Sequence, residues 1–114
     1  MTPRQRAERE ELLKGTLDLL VLQTLTRGPL HGYAIGQQIE QLSDSVLSAE
    51  QGSLYPALER LQKKGWVRSK WGITPTGRRA RYYTITASGR TQLGDAIDSL
   101  DRMMLAINRV LRRA

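Results

Sequence analysis

A chain of 114 residues, 39% hydrophobic and 25% charged, has the composition of one globular domain and not of a disordered tail. It has no cysteine and one histidine, His31, which excludes disulfide frameworks, thiolate chemistry, His-rich metal sites and a Ser/His triad. Eighteen Lys and Arg against eleven Asp and Glu give a net charge of +7, a statement about anionic partners. The longest apolar run, Leu19 to Leu22, is far too short to span a bilayer, and no signal peptide or membrane partner is expected. The absence of cysteine fits a reducing, cytoplasmic setting.

The charge is not spread evenly. Residues 60–90 carry nine basic side chains (Arg60, Lys63, Lys64, Arg68, Lys70, Arg78, Arg79, Arg81 and Arg90) and no acidic one. The rest of the chain nets to −2. A surplus confined to one segment looks like an electrostatic footprint for phosphate; the plain alternative is a solvated basic face.

In chain order, residues 1–11 alternate charge without an apolar stripe and read as a flexible arm or a frayed first turn. A helix follows from Leu12 to Leu25, with Leu13, Leu17, Leu20, Val21 and Leu25 on one side, ended by Arg27-Gly28-Pro29. A second short helix runs from His31 or Gly32 to Leu42, with Tyr33, Ile35, Ile39 and Leu42 as its buried face. After the polar turn Ser43-Asp44-Ser45, Ser48 and Gln51 have the spacing of a capping box. They open a third helix that ends at Lys64 and is closed by Gly65, with Leu54, Leu58 and Leu61 as its core stripe. Strands are expected over 66–71 and 81–86, Val67 with Trp71 on one face and Tyr83 with Ile85 inward. A last helix, capped near Thr86 or Ser88, runs to the C-terminus.

The order α-α-α-β-β-α describes a winged helix-turn-helix: a mainly α fold whose small β-hairpin is the wing. It gives an arm over 1–11, a winged domain over 12–86 and a C-terminal dimerisation helix over 87–114.

Helix three is then the recognition helix, since the second helix of such a pair enters the major groove. The face opposite its leucines shows Ala49, Gly52, Ser53, Pro56, Arg60 and Lys63. Its first half is small and suited to the groove, with Ser53 and the flanking Gln51 able to meet base edges. Arg60, Lys63 and Lys64 suit phosphates. Pro56 removes an amide that would bond the carbonyl of Gly52, which implies either a slight bend or a helix that starts later, near Ser53 or Leu54. In the wing, Arg78, Arg79 and Arg81 flank a tight turn within reach of a minor groove or phosphates. Trp66, Trp71, Tyr82 and Tyr83 read as hairpin core and cross-strand pairs rather than as a stacking platform for single-stranded bases. His31 reads as a helix-start residue, and nothing offers catalysis a foothold, so neither an enzyme nor a cofactor is expected.

The last helix spaces Leu93, Ile97, Leu100, Met104, Ile107 and Leu111 by four and three alternately, the seam of a coiled coil. Ala96, Met103 and Val110 widen it. We read a dimer interface; the alternative is a lid over the chain's own domain.

The stretches LLKGTLDLLVLQTL, GPLHGYAI, GSLYPALERLQKKGWV and GRRARYYTITASGRTQL resemble the PadR family of bacterial transcriptional regulators over about residues 12–93. The resemblance implies a homodimeric winged-helix regulator, as a rule a repressor, on a palindromic operator in double-stranded DNA. It assigns Tyr55 a phosphate contact. Some short members hold flat aromatic drugs between paired tryptophans at the dimer interface, and the last helix here has no tryptophan. Two other readings are a drug or phenolic-ligand sensor, whose effector the sequence does not name, and an RNA-binding basic protein.

Overall fold

The first helix, α1 (Pro3–Thr24), opens on a proline, which suits a position where the missing amide has no partner. The computed structural model describes residues 2–112, and within them every side chain except those of residues 5–15 and Gln51. The apolar pattern places the start of α1 at Leu12, but the helix begins at Pro3, so residues 3–11 belong to it. Their Arg, Gln, Glu and Ala are strong helix formers that need no apolar stripe. Leu17, Val21, Leu22 and Leu25 are buried, with Leu19 and Leu20 packed against them; the side chain of Leu13, expected here, lies outside the described residues. A 3₁₀ turn, Leu25–Arg27, ends the run at Gly28, whose φ of 149° favours glycine.

Six further elements follow: β1 (Leu30–His31), α2 (Gly32–Leu42), α3 (Gln51–Lys63), β2 (Val67–Ile73), β3 (Arg79–Ile85) and α4 (Ala87–Val110). The strands form one antiparallel sheet in the order β1-β3-β2. The expected hairpin is therefore joined by a third strand. Strand β1, with Leu30 opposite Tyr83 and His31 opposite Tyr82, is too short to leave an alternating pattern in sequence.

His31 caps α2: its Nδ1 accepts from the Ala34 amide at 3.3 Å. Gly32, Ile35 and Ile39 are the buried stripe. Tyr33 and Leu42 are exposed, contrary to the expected face. Tyr33 lies about 200° round the helix from Ile35, and Leu42 continues the stripe only where the helix, and its cover, end.

The capping box at Ser48 does not form. The N-cap of α3 is Glu50, with no side-chain cap, and the helix starts at Gln51. Leu47 and Ala49 pack against the core, and this tertiary contact outweighs the local capping preference. Ala49 consequently leaves the outward face. Nor does the helix wait for Ser53 or Leu54, whose amides both bond the Glu50 carbonyl, at 3.0 and 2.9 Å. Pro56 thus stands inside the helix. Leu54, Ala57, Leu58 and Leu61 are buried. The end is a Schellman motif: the Trp66 amide bonds the Leu61 carbonyl, the Gly65 amide that of Gln62, and Gly65 has a φ of 76°.

Helices α1 and α3 are also tied by charge. The Arg60 guanidinium donates to both oxygens of the Asp18 carboxylate, from Nη2 at 2.8 Å and from Nε at 3.5 Å. The hairpin strands run beyond their expected ends, in register from Val67 opposite Ile85 to Ile73 opposite Arg79. Val67, Ile85 and Tyr83 are buried at the base, whereas Trp71 is 55% exposed farther out. Trp71 is therefore not hairpin core, because the hairpin outruns the helices that cover its inner face.

Thr86 caps α4, its hydroxyl accepting from the Gly89 amide at 3.0 Å and donating to the Gly65 carbonyl at 2.7 Å. Leu93, expected in the dimer seam, is buried in the chain's own core, with Ile97 packed against that core. The first turns of α4 close the domain before the helix leaves it.

Two glycines of α4 give opposite expectations. A Cβ on Gly89 would run into the Trp66 carbonyl, and one on Gly94 would meet nothing within 4 Å. Gly89→Ala should lose about 1–3 kcal/mol to overpacking against backbone. Gly94→Ala should gain up to about 1 kcal/mol from helix propensity. Thermal unfolding of the two variants reads both signs. For the ion pair, a double-mutant cycle of Asp18→Ala and Arg60→Ala in urea should give a coupling of up to about 1 kcal/mol, as for other partly exposed pairs. Additive losses would show that the pair does not hold the helices together.

Candidate nucleic-acid interface

Burial of the leucine stripe turns the other side of α3 outward. Gly52, Ser53, Tyr55 and Pro56 are exposed on its first half, and Glu59, Gln62 and Lys63 on its second, with the C-cap Lys64. The side chain of Gln51 lies outside the described residues. The small residues and the following cations occupy one open surface, as the wheel of the helix implies.

Arg60 is set apart from that group. Two of its nitrogens, Nη2 and Nε, donate to Asp18, so its charge is already paired within the chain. The Lys64 ammonium lies 4.7 Å from the centre of the Trp66 ring. Tyr55 is held at the start of α2: a Cβ on Gly32 would come within 2.9 Å of its hydroxyl. Glycine at 32 therefore lets the Tyr55 ring lie against the helix start while leaving the residue 46% exposed.

In the wing, Thr74, Pro75, Thr76 and Gly77 make the turn. The Thr74 hydroxyl accepts from the Arg78 amide at 3.0 Å, and Gly77 takes a φ of 83°. Arg78 is exposed beside this turn. Arg79 and Arg81 fall two apart, hence on one face, and that face also carries Trp71. Their guanidinium carbons lie 4.5 and 5.7 Å from the centre of the Trp71 ring. Arg81 Nε also donates to the Ser69 hydroxyl at 2.9 Å, and that hydroxyl donates to Gln62 Oε1 of α3 at 3.1 Å. A polar link thus joins α3 to the wing on the side where the arginines stand.

Tyr82 belongs to the opposite face, over Gly72, with its ring 5.5 Å from that of His31 in an edge-on arrangement. Burial pushes the Tyr83 phenol above its ordinary pKa; the Arg81 guanidinium opposes the rise and Tyr55 adds to it. Trp71, Ser69 and Gln62 were not singled out as functional from sequence. The available signal was the two-residue spacing of Arg79 and Arg81 on a strand that pairs with a tryptophan-bearing one.

The seam residues of α4 divide in two. Leu93 and Ile97 belong to the domain core, and Leu100 is half-buried. Met103, Met104, Ile107, Val110 and Leu111 are exposed, Val110 to 81%. Leu105 is exposed on another side of the helix, outside the heptad pattern. Among the described residues no cluster of His, Asp and Glu could hold a metal ion, and no helix is long and apolar enough to cross a membrane.

Residues 21–95 match the Transcriptional regulator PadR-like family. A transcriptional regulator from Clostridium thermocellum has a similar structure, with a TM-score of 0.80 at 27% identity over 87% of this chain and 96% of that one. Bacillus subtilis PadR, solved in complex with operator DNA, matches with a TM-score of 0.64 at 29% identity over 72% of this chain and 45% of its own. The Negative transcriptional regulator PadR of Bacillus subtilis strain 168 is 30% identical over 79 residues, 69% of this chain and 43% of the relative. This chain therefore spans less than half the length of that relative. With its family match over most of the winged domain, and with the same fold in its structural neighbours, the chain belongs to the PadR-like family of transcriptional regulators.

Proposed function

We propose that this regulator is a repressor that binds a palindromic operator in double-stranded DNA as a homodimer. The observation that carries the reading is the open side of α3, small at Gly52 and Ser53 and, past the single acidic Glu59, cationic at Lys63 and Lys64, beside a wing in the acid-free segment 60–90. A helix with so little side chain at its front can enter a major groove deeply. Ser53 and Gln51 then read base edges, and Tyr55, Lys63, Lys64, Arg78, Arg79 and Arg81 meet phosphates. Arg60 stays with Asp18 and supports the helix instead. The Bacillus subtilis relative, a negative regulator by name and solved with operator DNA, supports the same assignment here.

Homodimerisation rests on the apolar side of α4. Leu100, Met104, Ile107 and Leu111, flanked by Met103 and Val110, continue the heptad spacing after the domain core has ended. A second copy of the same helix covers this side and doubles a readout too small to select one site in a genome. Two-fold symmetry in the protein then requires an inverted repeat, with half-site centres about 10 bp apart or a multiple of that. No small-molecule effector is assigned.

Met104 is exposed in the single chain, so a charge there leaves the domain itself intact. In the dimer, Met104→Glu buries two like charges near the symmetry axis, which is strongly unfavourable. Sedimentation should therefore find Met104→Glu monomeric at micromolar concentration, still folded, and with most operator affinity gone. A dimeric variant with full affinity would show that α4 does not make the interface. With operators selected from a random duplex pool, Ser53→Ala should change the preference at particular base pairs by about 1–3 kcal/mol. Lys63→Ala should weaken all duplexes alike. Identical behaviour of the two variants would end the division of α3 into reading and anchoring halves. Repression itself is tested by setting the selected operator in front of a reporter gene; unchanged expression would overturn the repressor reading, and raised expression would reverse its sign.

A further inference from the structure

We propose that Trp71 is a positioning residue for the wing: its exposed indole holds Arg79 and Arg81 in the orientation in which they meet phosphate. The inference rests on the DNA-binding reading and adds a residue to it. Trp71 is more than half exposed although it is the largest side chain on its face of the hairpin, so the core does not explain its place. What it touches does. Arg79 lies over the ring at 4.5 Å and Arg81 at 5.7 Å, both within cation–π range.

The chemistry of the guanidinium gives this arrangement its use. Its positive face rests on the indole, while its N–H donors point outward in the plane of the group. Stacking therefore orders the side chain without consuming the donors that a phosphate needs. Arg60 shows the contrast, since a carboxylate of its own chain, that of Asp18, accepts from two of its nitrogens and pairs its charge. Arg81 is held a second time through Nε by Ser69, which Gln62 of α3 anchors in turn. Its two terminal nitrogens are left to a ligand. A free arginine gives up much rotamer entropy when it binds, and one already stacked gives up less. The gain appears as affinity for any duplex, because phosphates carry no sequence.

The test measures binding of a labelled mixed-sequence duplex over a range of salt concentrations. Thermal unfolding of every variant is followed in parallel. Trp71→Ala should weaken binding about 2- to 5-fold for each guanidinium released, with unfolding little changed. Trp71→Phe should recover most of the loss and Trp71→Leu should not, since leucine restores apolar bulk without a π face. In a background of Arg79→Ala with Arg81→Ala, Trp71→Ala should have no further effect. Full affinity in Trp71→Leu would overturn the proposal, because bulk alone would then suffice. A Trp71→Ala loss that persists without the arginines would also overturn it, since the indole would be touching DNA itself. If the double arginine variant keeps both its affinity and its salt slope, Arg79 and Arg81 do not meet DNA. That result removes the reading on which the inference stands, and with it the inference.

Discussion

Burial of Leu54, Ala57, Leu58 and Leu61 against the rest of the core decides what the third helix has left to offer. A helix that commits one stripe to packing can present only the residues on its other side, and here those are Gly52, Ser53, Tyr55, Pro56, Glu59, Gln62 and Lys63. Rotating the helix by one residue would bury a lysine or expose a leucine, at several kcal/mol either way. The Arg60–Asp18 pair and the Schellman turn at Gly65 hold the same rotation and the same end point. The proposed readout surface is thus a by-product of core packing.

The chain handles its arginines in two ways, and the difference is chemical. Where an arginine lies between two helices, an aspartate accepts from two of its nitrogens and pairs its charge within the protein. Where arginines extend past the core on the hairpin, an aromatic face lies beneath them and takes none of their N–H donors. The first arrangement contributes to the packing of α1 on α3, and the second lowers the ordering cost of the proposed phosphate contacts. The absence of acidic residues over 60–90 would mean little if the arginines there were bound as Arg60 is. Net charge counts both kinds alike, and only structure separates them.

Much of this was legible in sequence, for reasons that differ along the chain. Helices α1, α3 and α4 show their stripes because long amphipathic elements repeat their pattern several times. The glycine after α3 and the threonine before α4 are local signals, and each does what its chemistry implies. The misreadings arise where tertiary contact decides. Strand β1 has two residues and no pattern of its own. Ser48 loses its cap because its neighbours Leu47 and Ala49 are drawn into the core. Tyr33, Leu42 and Trp71 are apolar residues past the reach of the core, and Leu93 is a seam residue within it. The spacing of leucines and tryptophans cannot say where cover ends. In the candidate site, Ser53 and Lys63 were readable as outward residues from the wheel alone, whereas the capture of Arg60 by Asp18 required the fold.

The division of α4 at Ile97 has a consequence for how the proposed dimer meets its operator. The helix is continuous from Ala87 to Val110, so its early turns, packed on the core, and its later turns, apolar and exposed, move as one body. Any rotation of α4 on the domain would displace α3 relative to a two-fold axis running through Leu100 and Met104. A helix rises about 1.5 Å per residue, which puts the far end of the exposed stretch, at Val110, about 25 Å beyond Leu93. Over that lever a few degrees of tilt at the base displace the far end by an ångström or more. The Trp66 carbonyl against Gly89, the Thr86 hydroxyl on Gly65 and the burial of Leu93 resist such tilt. Half-site spacing in the proposed complex is therefore determined by residues that touch neither DNA nor the second subunit.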